Sequence, residues 1–125
     1  MMKKIYTQNA PEAIGPYSQA VACGNLLFTS GQIAINPATG SVDAATLEDQ
    51  TEQVMKNLGA ILQEAGTDYS HVIKTTCFLK NMEDFAAFNR IYGKYMTEKP
   101  ARSCVAAKQL PKDVLVEVEV IAELI

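Results

Sequence analysis

The sequence predicts an α+β fold, a mixed β-sheet with two amphipathic helices packed on one face. Three observations carry this expectation. Apolar residues recur at three- and four-residue steps in two segments only, and elsewhere they alternate or form short runs bounded by Gly, Pro and Asn. Strand-like and helix-like segments follow the order strands, helix, strand, helix, strands, which suits helices gathered on one side of a sheet. In the last run Val114, Val116, Val118, Val120 and Ala122 share one face, while Leu115, Glu117, Glu119, Ile121 and Glu123 share the other.

From the N-terminus, "NAPEAIGPYS" is a Pro- and Gly-punctuated loop that leads into two apolar runs, Gln19–Cys23 and Leu26–Gly31. Gly24-Asn25 between them is the signal of a tight hairpin turn. "NPATGS" is a second turn, with Pro37 setting φ and Gly40 free to take a positive one. From Thr46 to Ala65 the residues Leu47, Thr51, Val54, Leu58, Ile61, Leu62 and Ala65 form one apolar stripe, and Gly66 stands where a helix C-cap glycine belongs.

"HVIKTTCFL" returns to alternation, with Ile73, Thr75, Cys77 and Leu79 set against Val72, Lys74, Thr76 and Phe78. A second helix runs through Phe85, Phe88, Tyr92 and Tyr95, with Asn81 as N-cap and Pro100 just beyond its end. Its aromatic stripe is a core face. The runs Ala101–Lys108 and Val114–Leu124 flank "QLPKD" and predict an antiparallel hairpin. No repeat or low-complexity linker interrupts the chain, so one domain is expected over residues 1–125.

Composition narrows the function. Hydrophobic residues make up 48% and charged residues 20%, a mixture too apolar for disorder. Eleven basic and fourteen acidic residues give a net charge of −3, and Lys3-Lys4 opens no longer basic run, so nucleic acid is not an expected partner. The N-terminal segment has no apolar core after its lysines, and no later stretch has a membrane-spanning character; the expected location is cytoplasmic. Cys23, Cys77 and Cys104 are widely spaced with no CxxC pattern, which predicts reduced thiols, neither disulfides nor zinc. The lone His71 reads as a structural residue at a strand entry.

The last two strands hold the chemistry. Arg102 and Cys104, two residues apart, share a strand face, and a hairpin centred near Leu110-Pro111 sets Cys104 opposite about Glu117 and Arg102 opposite about Glu119. Two readings of Arg102 stand: its guanidinium clamps a ligand carboxylate, or it pairs with Glu117 or Glu119 for structure alone. Glu117 has the chemistry to accept a proton from water. Cys104 reads as a packing residue in the pocket wall. The face that mixes Leu115, Ile121 and Phe78 with carboxylates is either half-solvated or buried between subunits with polar clefts.

Several segments in order, "IGPYSQAV", "LFTSGQI", "VIKTTCFL", "MEDFAAFNRIYGKY", "PARSCV" and "LPKDVLVEVEVIA", give a chain that closely resembles the RidA family, also called the YjgF family. The resemblance implies a chorismate-mutase-like α+β fold, assembled as a homotrimer around a central β-barrel with clefts between neighbouring subunits. It implies hydrolysis of the reactive enamines and imines released by pyridoxal-phosphate dehydratases, such as 2-aminoacrylate, 2-iminopropanoate and 2-iminobutanoate, to 2-oxo acids and ammonia. By motif, Arg102 would hold the substrate carboxylate and Glu117 would position or activate water. Tyr17, Ser30, Gly31, Asn89 and Cys104 match substrate-binding positions. No metal or cofactor is implied, and the partners are small 2-imino and 2-oxo acids. The alternative is a 2-oxo acid-binding regulator or a chaperone-like protein, since roles differ among relatives.

Overall fold

The structure, a computed structural model, describes residues 2–125. Its elements are β1 (Met2–Ile5), β2 (Ala20–Cys23), β3 (Leu26–Thr29), β4 (Ile35–Asn36), β5 (Ser41–Val42), α1 (Leu47–Glu64), β6 (Val72–Leu79), α2 (Phe85–Tyr95), β7 (Ala101–Ala106) and β8 (Val116–Glu123). Six strands form one mixed sheet in the order β1-β2-β3-β8-β6-β7, and β4 and β5 pair as a small separate ribbon. Both helices lie on one face, as the sequence predicts.

Helix α1 starts where Thr46 accepts a hydrogen bond from the Asp49 N–H, 3.1 Å, and Glu48 and Asp49 place negative charge at its positive end. It stops at a left-handed Gly66, φ 82°, whose N–H bonds Gln63 O while Thr67 N–H bonds Leu62 O. Those two bonds are a Schellman ending, which satisfies carbonyls the helix would leave bare. The predicted stripe is the buried one: Val54, Leu58, Ile61 and Leu62 are fully covered, packed with Val116, Val118 and Val120 of β8. In α2, Phe88 and Tyr92 take the core positions expected of them. Asn81 departs from expectation, since it heads a 3₁₀ turn, Met82–Asp84, without a side-chain cap bond, and α2 begins after it.

One strand was not foreseen and two other expectations are corrected. The "MKKI" segment forms β1, an edge strand paired to β2, although its polar residues carry no strand-like alternation. A bulge between Val72 and Lys74 shifts the phase of β6, so Val72 joins Thr75, Cys77 and Leu79 in the core and Ile73 is left outside. The C-terminal hairpin does not form: β7 pairs in parallel with β6 at the sheet edge, and β8 enters between β3 and β6.

The reason lies in the connections. Strand β6, helix α2 and β7 make a crossover unit, and a strand that follows a crossover helix back onto the sheet runs parallel to the first. The chain then steps over the end of β6 to reach β8. Ala107 N–H bonds Leu79 O at 2.9 Å and Lys80 N–H bonds Leu115 O at 3.0 Å, so the two flanks of the 107–115 connection grip β6 between them. Within that connection Lys112 and Asp113 hold positive φ near 55° and 53°, and Asp113 forms an ion pair with Lys80, 3.1 Å.

Candidate functional site

On the sheet face turned away from the helices, β8 presents Glu117 and Glu119 while its valines lie under the helices. Segment 30–33 runs beside it, because Gln32 N–H bonds Val118 O at 2.8 Å and Val118 N–H bonds Gln32 O at 3.1 Å. This lays Gly31 directly on the Glu117 side chain: a Cβ at position 31 would meet Glu117 Oε2 at 2.1 Å. Only glycine leaves room for that carboxylate. Ser30 is tied down from its other side, with Oγ donating to Ser18 O at 2.6 Å and its N–H to Gln19 O at 2.9 Å. Tyr17 closes the loop wall, where its hydroxyl accepts the Ile14 N–H at 3.3 Å.

Together these residues, with Ile33 and Pro111, enclose a cavity of about 420 Å³. Glu117 is half-buried in it. Burial raises its pKa above the usual carboxylate range, and the neighbouring Glu119 charge raises it further. A carboxyl so placed holds a proton closer to neutral pH than a surface glutamate does.

Arg102 lies on the other side of the sheet. Its strand β7 is the edge beneath α2, and the guanidinium stacks on the Tyr92 and Phe85 rings, 4.9 and 5.3 Å from their centroids. Arg102 Nη1 donates to Asn89 Oδ1 at 2.7 Å, which fixes the plane of the fork. The adjoining cavity, about 550 Å³, is lined by Asn89, Tyr92, Met96, Lys99, Pro100 and Arg102. Among the described residues the ion pairs involve His71, Lys80, Arg90 and Lys94, and none involves Arg102. The structural reading of Arg102, a pair with Glu117 or Glu119, is therefore corrected. Its fork is oriented by a neutral amide and two rings, with no carboxylate paired to it among the described residues.

Cys104 shares the Arg102 face and stands in register with Cys77 on β6. Burial pushes the Cys104 thiol up, offset only in part by Arg102, and burial pushes Cys77 up to about 12. Neither is a ready thiolate at neutral pH, in keeping with a packing role. His71 sits at the entry of β6, bonded through Nδ1 to Asp68 at 2.9 Å, away from both cavities.

The site residues thus fall into two groups. Tyr17, Ser30, Gly31 and Glu117 meet on one face; Asn89 and Arg102 meet on the other, where Cys104 shares the Arg102 face without lining its cavity. The single-chain convergence of Arg102 and Glu117 is corrected, because it rested on the hairpin register that β6 displaces. Four contributors to the Glu117 cavity were missed, as were Tyr92, Met96, Lys99 and Pro100 beside Arg102. Glu119 was legible as a same-face neighbour of Glu117, whereas Ile14, Ile33 and Pro111 come from loops without periodicity. Among the described residues no three His, Cys, Asp or Glu side chains gather in a way that would hold a metal ion.

Two helices on one face of a six-stranded mixed sheet, with a cavity on either side, define an α+β protein with two candidate sites. The chain belongs to the family described as Endoribonuclease L-PSP, the YjgF/RidA family, whose model matches residues 7–124. It is 48% identical over 126 residues to the 2-iminobutanoate/2-iminopropanoate deaminase of Escherichia coli strain K12, covering 98% of each chain. It is also 57% identical over 123 residues to a candidate regulator, AldR, of Lactococcus lactis subsp. lactis strain IL1403, again covering 98% of each. Among solved structures, E. coli TdcF with bound serine superimposes with a TM-score of 0.92 at 44% identity, covering 97% of this chain and 98% of that one.

Proposed function

We propose that this chain, one domain over residues 1–125, is an imine deaminase that hydrolyses small 2-imino acids such as 2-iminopropanoate and 2-iminobutanoate to 2-oxo acids and ammonia. The observation that carries the reading is the pair of half-sites: an oriented arginine without a carboxylate partner on one face, and a half-buried glutamate over Gly31 on the other. They are complementary halves, and a homotrimer that packs the open face of one subunit against the β7 edge of the next would bring them together. Exposed Phe28 and Val105 and half-covered Phe78 and Ile121 on that open face favour such burial, with the sheets closing on a central barrel.

The chemistry follows from the two groups. The Arg102 fork takes the substrate carboxylate through parallel charge-assisted hydrogen bonds and so fixes C2. Water adds to C2 as Glu117 accepts its proton and passes it to the imine nitrogen, giving a 2-amino-2-hydroxy acid; Glu117 then takes the hydroxyl proton and hands it to the amino group, the C–N bond breaks as C2=O forms, and ammonia leaves. Only water is consumed. A carboxyl with a raised pKa suits both transfers.

The relative named as a candidate regulator supports a second reading, in which the same halves bind a 2-oxo acid without turnover. One experiment separates them. Arg102→Ala and Glu117→Ala chains, each inactive alone, are dissociated, mixed equally and reassembled, and ammonia release from a threonine dehydratase reaction is followed. Random assembly gives an intact pair in about a quarter of clefts, so about a quarter of parent activity returns. No recovery defeats the two-chain site, and a parent protein that binds 2-oxobutanoate without releasing ammonia makes the protein a regulator.

A further inference from the structure

The cavity around Glu117 is chemically lopsided, and its second carboxylate has no part in the hydrolysis. Glu119 lines the same cavity, two residues along the strand on the same face. Beside Tyr17, Ser30 and Gly31, the wall is apolar, from Ile14, Ile33 and Pro111. Lys74 borders the adjoining cavity together with Glu119, but its ammonium donates to Ser103 Oγ at 3.3 Å, and among the described residues no ion pair includes Lys74 or Glu119. Glu119 therefore faces the cavity without an ion-pair partner.

We infer that Glu119 is a specificity residue, which makes the cavity reject 2-imino acids whose side chain carries a negative charge and accept those with short neutral, apolar side chains. The inference rests on the proposed clamp at Arg102. With the substrate carboxylate held there and C2 beside Glu117, the side chain is the part of the substrate left to meet the Ile14, Ile33 and Pro111 wall and Glu119. A methyl or propyl group loses water against that wall at no electrostatic cost. A side-chain carboxylate would be carried toward two glutamates in a partly desolvated space, where like charges repel more strongly than in bulk water.

The test uses 2-oxo acids, the stable products, so that binding is read apart from turnover. Isothermal titration of the assembled parent protein with 2-oxopentanoate and 2-oxoglutarate, which share a five-carbon chain, should show about a ten-fold preference or more for the uncharged side chain. Glu119→Gln should shrink that ratio by about five-fold or more, and raising NaCl from about 0.05 to 0.5 M should shrink it in the parent, since the common carboxylate cancels. The salt measurement stands even where the variant fails to assemble. Equal affinities in the parent, or a ratio unmoved by salt or by Glu119→Gln, overturn the inference and leave the clamp intact. If neither acid binds the parent, the clamp itself is wrong and the inference falls with it.

Discussion

Replacing Gly31 by alanine adds one methyl group where the Glu117 carboxylate already is. The new Cβ would lie 2.1 Å from Oε2 and 2.9 Å from Cδ, against 3.4 Å or more for ordinary contact, so the carboxylate must retreat by roughly 1 Å or swing aside. The φ of Gly31 lies outside the left-handed region, so the backbone itself accepts alanine. Losing a glycine from the unfolded chain stabilises by about 0.4–1 kcal/mol, and the local overpacking costs about 1–3 kcal/mol, reduced here because one flexible side chain can yield into an open cavity. Net destabilisation should be about 1 kcal/mol or less. Activity is more sensitive, because a displacement of about 1 Å in a catalytic group costs on the order of a hundred-fold in kcat/KM. Urea unfolding and dehydratase-coupled ammonia release measure the two effects on one preparation. In a Glu117→Ala background the clash is gone, so Gly31→Ala should then be neutral or stabilising. A Gly31→Ala protein with parent activity, or a clash that persists without Glu117, refutes the placement of this carboxylate.

The other expectations follow from the same geometry. Arg102→Ala should lower kcat/KM by on the order of a hundred- to ten-thousand-fold, since two charge-assisted bonds are worth about 3–6 kcal/mol together, and 2-oxobutanoate affinity should fall with it; Arg102→Lys should recover only part. Because folding raises the pKa of Glu117, the folded protein holds that proton more tightly than the unfolded chain, so this group disfavours folding increasingly as pH climbs from the usual carboxylate range through its raised value. Glu117→Gln should therefore gain stability over the parent at neutral pH, lose that advantage in acid, and hydrolyse imines slowly; equal melting curves across pH would count against the burial. Parent activity should rise with pH through that same raised value, as measured by initial rates. Cys104→Ser should stay active, because the proposed hydrolysis gives its half-buried thiol no nucleophilic role, and a folded but inactive variant would reverse that assignment.

The sequence by itself determined the elements and which way most of them face. The stripe of α1, its Thr46 start and Gly66 stop, the aromatic face of α2, and the valine and glutamate faces of β8 are short-range patterns, each written within one element and fixed by its own period. The motif resemblance likewise singled out Arg102 and Glu117 as one chemical pair. Strand partners were not legible, because alternation marks a residue as belonging to a strand without naming the neighbour that strand will find. Sequence adjacency suggested that β7 and β8 pair; the crossover through α2 and the step over the end of β6 decided otherwise. That one long-range choice put Arg102 under the helices and left Glu117 on the open face, since strands in one sheet share a pleat and residues in register share a side. The tertiary structure alone therefore decided that Arg102 and Glu117 stand on opposite faces of the sheet in one chain.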